Sequence, residues 1–152
     1  MSLLAGAALK AAVTASVSGF DPKLLGFDAL DVRLSSIFHT ENSYANDIEL
    51  ATGQESNAFN VCTTSRFTLA PRQFVKAYLV ESFHLPAHLS AQFTLRSVMA
   101  RQGLEQATSI WLKPKWKGNL VLELYNFLTN HNLILQENMP IGQLHFFEVS
   151  DG

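Results

Sequence analysis

Two arginines, Arg96 and Arg101, bracket a serine in the run Arg96-Ser97-Val98-Met99-Ala100-Arg101. A guanidinium is planar and donates paired hydrogen bonds, which suits it to phosphate. The Ser97 hydroxyl and free N–H groups in a turn add donors for an anion. Farther along, Leu120-Val121-Leu122-Glu123-Leu124-Tyr125 sets one carboxylate among apolar neighbours. Strand alternation puts Val121, Glu123 and Tyr125 on one face and Leu122 and Leu124 on the other. A carboxylate in such company is costly unless something holds it, and one so placed suits proton transfer. The two arginines are the nearest candidates for its partner. On spacing alone a plainer reading stays open: a solvated basic turn and an outward-facing strand glutamate.

Other chemistry-bearing residues are less pointed. Lys113, Lys115 and Lys117 alternate with Pro114 and Trp116 before Gly118. Such a loop can touch phosphate or stack a base on its indole, but a solvated turn with Trp116 packed beneath it is the simpler reading. The five histidines, His39, His84, His88, His131 and His145, lack the spacing of a helical metal pair and read as structural. Pro86 separates His84 from His88, so those two do not share a helical face. The sequence contains no P-loop, no GxGxxG and no GxSxG elbow.

These residues need a scaffold, and the 152-residue length suits one domain, 1–152, able to bury a real core. Charged residues make up only 16%, so part of the surface is expected to be covered by another subunit. A net charge of -2 gives no global pull toward a nucleic-acid polymer or an anionic membrane. The single cysteine, Cys62, excludes an intrachain disulfide and a multi-cysteine zinc site, and a cytoplasmic setting is expected. No apolar run reaches membrane-span length, and the Ala-rich start lacks a basic n-region and is interrupted by Lys10, unlike a signal peptide.

The spacing predicts one short helix over 2–16, then a loop marked by Gly19, Pro22 and Gly26. Strands are predicted at 29–34, 66–69, 74–83, 89–95, 119–126, 133–136 and 141–149. The polar stretch 40–60 reads as a surface loop with one strand at Ile48–Leu50, and 96–101 as a polar turn. Many short strands with regular turn signals indicate an all-β barrel or jelly-roll-like sandwich.

Six blocks, in order, resemble the dCTP deaminase family of the trimeric dUTPase-like superfamily. Asp31-Val32-Arg33-Leu34 is similar to the family's DVRLG strand, with Ser35 for glycine. Leu69-Ala70-Pro71-Arg72-Gln73-Phe74 is similar to LxPGEF, and Val80-Glu81-Ser82-Phe83-His84-Leu85-Pro86 to LExVxLP. Arg96 through Leu104 resembles RSSLARLGL, Trp116 through Asn126 resembles WxGxIVLEFYN, and Met139 through Leu144 resembles GMxIGQL.

The resemblance implies a distorted β-barrel or jelly roll of the dUTPase-like, β-clip kind, assembled as a homotrimer with sites at subunit boundaries. It implies hydrolysis of the 4-amino group of dCTP to give dUTP and ammonia, without zinc and with Mg2+ accompanying the nucleotide. Glu123 inherits the general base. Ser97 and Arg101 inherit the holding of water and base, and Arg96 the triphosphate, with Val98 where the family has a second serine. Gln106, Thr108 and Ser109 stand in the stretch that reads the nucleobase, where the family's histidines and arginine are replaced. Lys113 and Lys115 stand in the family's DPGW, and typical members continue a few dozen residues past the position of Gly152, closing over the triphosphate. A non-catalytic nucleotide-binding or regulatory trimer is the alternative those changes leave open. A dUTP pyrophosphatase is a weaker one, since Lys113 replaces the expected acid.

Overall fold

The computed structural model describes residues 1–44 and 46–150. The chain opens with β1 (Ser2–Leu3), α1 (Gly6–Ser16) and β2 (Val17–Ser18). A 3-10 turn at Pro22–Leu24 leads to β3 (Leu30–Glu41), and a second at Leu50–Thr52 precedes β4 (Phe59–Thr63). Next come β5 (Arg66–Leu69), β6 (Phe74–His84), β7 (Leu89–Leu95), the one-turn α2 (Ser97–Ala100), β8 (Leu104–Gln106) and β9 (Ile110–Leu112). The last strands are β10 (Lys117–Asn126), β11 (Leu133–Gln136) and β12 (Pro140–Glu148).

The architecture is mostly β, as the sequence indicates. The main sheet runs β8-β10-β6-β3-β12-β7-β9, with every pairing antiparallel. Its two end strands, β8 and β9, are joined by only Ala107, Thr108 and Ser109. So few residues reach about 14 Å at full extension. The ends must therefore approach one another, and the sheet curls into a distorted barrel. The pair β11-β5 forms a separate two-stranded ribbon. Inside lie the alternate residues of the long strands, including Phe38, Val75, Ala77, Leu122, Leu124, Leu144 and Phe146. Glycine is required where β12 crosses β7, because a Cβ on Gly142 would lie 2.2 Å from the Phe93 ring and 2.6 Å from the Thr94 carbonyl oxygen.

The helix starts four residues later than predicted. Ser2 and Leu3 pair with Glu148 and Phe147 of β12, and Gly6 turns the chain at φ +58°. From there Leu9, Ala12, Val13 and Ser16 form the buried stripe expected of a helix lying on a sheet. No helix among the described residues is long and apolar enough to cross a membrane.

The predicted strand at Ile48–Leu50 is not formed. Both side chains are exposed, no strand lies beside them, and Leu50 instead opens the second 3-10 turn. The 40–60 stretch is a loop closed at its neck by the Asn42 N–H on the Ala58 carbonyl, 2.7 Å, and the Asn42 amide on the Asn57 carbonyl, 2.6 Å. Ala45, within this loop, lies outside the described residues, as do Asp151 and Gly152. The strand that does form nearby is β4, an edge strand on β3 with little burial and hence a weak sequence pattern.

One buried acid fixes the barrel. Glu81 points inward from β6; Oε1 accepts from the Arg33 backbone N–H at 2.7 Å and Oε2 from Arg33 Nε at 3.1 Å. Arg33 in turn donates from Nη2 to the Gly19 carbonyl. Burial pushes the Glu81 carboxyl above its ordinary value, against the pull of Arg33.

Candidate active site

Strand β10 keeps the alternation of its sequence. Leu120, Leu122, Leu124 and Asn126 are buried, while Val121, Glu123 and Tyr125 lie half-buried on the opposite face. That face continues across the neighbouring strands. Glu123 lies directly opposite Lys76 of β6, and Lys76 lies directly opposite His39 of β3. An imidazole, an ammonium and a carboxylate thus stand in one row across three strands. Above them opens a cavity of about 500 Å³ whose walls include Phe59 and Tyr78 and whose rim is the Glu55–Ser56 loop.

Glu123 is held from the other side by β8. Gln106 Nε2 donates to Glu123 Oε2 at 2.6 Å, and the Glu123 N–H donates to Gln106 Oε1 at 2.9 Å. This two-way bond fixes the amide's orientation, because the flipped amide would set oxygen against carboxylate. It leaves Glu123 Oε1 without a hydrogen bond among the described residues. A carboxylate with one oxygen anchored and the other free on a cavity wall can accept a proton from a bound water.

Lys76 and Glu123 are not bonded to each other. The Lys76 ammonium lies 3.5 Å from Glu55 Oε2 and 4.1 Å from the centre of the Phe59 ring. The His39 and Tyr78 rings lie 5.0 Å apart. His39, read from the sequence as structural, lines the same cavity as Glu123.

The arginine segment sits elsewhere in the chain. The Arg96 N–H donates to the Ile141 carbonyl at 3.1 Å, which ties α2 to β12. Ser97 and Arg101 are exposed and Arg96 half-buried. Among the described residues no hydrogen bond or ion pair joins any of the three to Glu123. The run is a helical turn rather than an open polar one. Its Met99 and Ala100 N–H groups bond the Arg96 carbonyl and its Arg101 N–H bonds Ser97. Those donors are therefore not free for an anion.

Gln106, Thr108 and Ser109 line a second cavity of about 390 Å³ beside Phe93 and Ala100. Only Gln106 reaches Glu123. Lys113, Lys115 and Lys117 are exposed, and the partly buried Trp116 packs its ring against Phe83 at 6.1 Å, as the solvated-turn reading expects. Among the described residues no group of three His, Cys, Asp or Glu side chains stands where it could hold a metal ion.

The model of the dCTP deaminase-like family matches residues 3–149. The chain belongs to the dCTP deaminase-like family. It is 32% identical over 138 residues to a dUMP-forming dCTP deaminase of Corynebacterium efficiens, covering 88% of this chain and 71% of that protein. Its fold is that of the 2'-deoxycytidine 5'-triphosphate deaminase of Agrobacterium tumefaciens, with a TM-score of 0.75 at 17% identity over 98% of this chain. The chain spans 48%, about half, of that structure's length. The EIAV dUTPase shares the fold more distantly, with a TM-score of 0.50 at 16% identity over 76% of this chain and 91% of that one. Family membership agrees with the order of the six sequence blocks.

Lys76, Tyr78 and Phe59 escaped the sequence reading. The alternation Val75-Lys76-Ala77-Tyr78-Leu79 does mark Lys76 and Tyr78 as outward-facing. What the sequence does not carry is the register that sets Lys76 opposite Glu123.

Proposed function

We propose that the chain hydrolyses the 4-amino group of a deoxycytidine nucleotide, dCTP by family, in a homotrimer whose sites lie between copies. The observation that carries this reading is Glu123. One carboxylate oxygen is pinned by Gln106 and the other is free on the wall of an open cavity, in a chain of a deaminase family. Glu123 takes a proton from a water as the oxygen bonds to C4 of the cytosine. That proton passes to the 4-amino group, the water's second proton moves to N3 as the C4 oxygen becomes a carbonyl, the C4–N4 bond breaks, and ammonia leaves with uracil behind. The balance is dCTP plus water to dUTP plus ammonia. Water activation is assigned to Glu123. Gln106 holds the carboxylate in place.

The trimer supplies what one copy lacks. Ser97 and Arg101 are exposed, Arg96 is half-buried, and none of the three bonds Glu123 among the described residues; they fit a role toward the nucleotide held by a neighbouring copy. Arg96 and Arg101 meet phosphate as planar donors, and Ser97 steadies the water. Magnesium comes as part of the substrate.

A second reading is favoured by the relatives. The Corynebacterium efficiens protein is named for forming dUMP, which adds loss of pyrophosphate to deamination. One experiment tests both. The protein is incubated with dCTP and magnesium, ammonia is followed and the nucleotide product is separated by chromatography. Ammonia with dUTP supports the first reading, ammonia with dUMP and pyrophosphate the second. No ammonia overturns the deaminase reading, and unchanged turnover in Glu123→Gln removes Glu123 from the mechanism.

A further inference from the structure

We propose that Lys76 reads the pyrimidine ring: with Glu123 it forms a donor–acceptor pair set across two strands to engage the Watson–Crick edge of cytosine. The inference rests on the deaminase reading of Glu123 and adds a specificity-determining residue to it.

The chemistry of the edge comes first. Cytosine carries a donor, its 4-amino group, at one end and acceptors, N3 and O2, beside and beyond it. An ammonium only donates and a carboxylate only accepts. Glu123 therefore matches the 4-amino end and Lys76 the N3–O2 end. Uracil reverses the pattern at the first two positions, with an acceptor at C4 and a donor at N3, so both side chains would reject it.

The geometry supports the pairing. Lys76 and Glu123 are register partners on one face of β6 and β10 and line one cavity. Directly opposed strand residues hold their Cβ atoms roughly 5 Å apart, close to the width of a single ring. The flanking aromatic side chains, Phe59 and Tyr78, give the cavity apolar walls suited to the faces of a flat heterocycle.

Lys76 is held only by weak contacts, to Glu55 and over the Phe59 ring at 4.1 Å, and can turn toward a ligand. Its contact with Glu55 is long, 3.5 Å, and the Glu55 side chain is 92% exposed. An exposed pair of this kind is worth little. The lysine stem is well covered, with the side chain only 19% exposed, so the ammonium can leave Glu55 while the stem stays packed.

A cation at N3 and O2 acts on rate as well as recognition. When water oxygen bonds to C4, electron density moves onto N3 and O2. A donor there binds the transition state more strongly than the substrate and so raises kcat. In the uracil product N3 carries a proton and the C4 oxygen faces the Glu123 carboxylate, which favours release.

The test compares wild type, Lys76→Met and Lys76→Arg in steady-state ammonia release from dCTP, with inhibition by dUTP and by inorganic tripolyphosphate measured alongside. In Lys76→Met, kcat/KM is expected to fall at least tenfold, with kcat and KM both affected. Tripolyphosphate inhibition should be unchanged, and dUTP should inhibit more strongly relative to dCTP affinity. Lys76→Arg should recover most of the loss. A Lys76→Met variant within twofold of wild type overturns the inference, and so does a parallel loss of tripolyphosphate inhibition, which would make Lys76 a phosphate contact. Wild type that releases no ammonia brings down the deaminase reading and this inference together. Wild type that releases ammonia with Lys76→Met unaffected brings down this inference alone.

Discussion

Strand β6 carries an ionisable residue on each of its faces, and the two are treated oppositely. Inward, Glu81 is closed off: both carboxylate oxygens accept from Arg33, whose guanidinium continues to Gly19. Outward, Lys76 faces Glu123 across the ladder, yet each is held by something else, Lys76 by Glu55 and Phe59 and Glu123 by Gln106. The first pair is spent on itself and the fold, with its carboxylate buried. The second keeps unused donors and an unused oxygen over a cavity. A satisfied pair holds a fold together, whereas two opposite charges kept apart on one wall are available to a substrate. Nothing about acid or cation as residue types separates these roles; burial and the fate of each lone pair do.

Substitutions should separate the two regions, beginning with the largest effect. Glu123→Gln should lower ammonia release from dCTP by about 10²–10⁴-fold, the usual worth of a positioned general base. Its urea midpoint should barely move, since Gln106 keeps a partner. A large loss of stability would make Glu123 structural and erase the contrast. Glu81→Ala should do the reverse, destabilising by about 3 kcal/mol, at the low end for a broken buried pair. The low end is expected because the Arg33 side chain is 18% exposed and can reach water. Equilibrium urea unfolding measures it, and a loss below about 1 kcal/mol would sit with surface pairs instead.

Gln106→Leu should come next, with roughly a tenfold drop in kcat, KM for dCTP little changed and stability nearly kept, as fits a residue acting through Glu123. Equal rises in KM and falls in stability would make it a packing residue only.

The smallest effect is on pH. Burial raises the Glu81 carboxyl above 4.5, so the folded chain binds that proton more tightly than the unfolded one. Its contribution to stability is then fully present below pH 4.5 and lost as pH rises through the raised folded value. Stability of wild type relative to Glu81→Gln, followed by urea unfolding, should decline over that window. A rise over the same window would mean that Arg33 outweighs burial.

Much of this was legible in the sequence where local signals are strong. Strands 66–69, 89–95 and 133–136 were placed to the residue because Pro, Asn and polar turns bracket them. The face bearing Glu123 followed from the alternation of Leu120, Leu122 and Leu124 alone. Strands β8 and β9 were missed because three residues each give no period to detect, although they form the two ends of the curled sheet. The row His39, Lys76, Glu123 was missed for a different reason. It exists only through register between strands far apart in the chain, shifted by an irregularity between Leu34 and Phe38. The arginine segment was read for its residue types, and its place was set by α2 docking on β12 through Ile141, with no bond to Glu123 among the described residues.

The lack of a direct contact between Arg101 and Glu123 leads to the most direct test of a site shared between copies. Glu123→Gln and Arg101→Ala chains, each inactive alone, are co-expressed with distinct tags, and mixed assemblies carrying both tags are assayed for ammonia release from dCTP. If a site draws Glu123 from one copy and Arg101 from its neighbour, about one site in three is intact in a trimer that carries both tags. Recovery of activity near that fraction of wild type is the expected result. Mixed assemblies as inactive as either parent would contradict it.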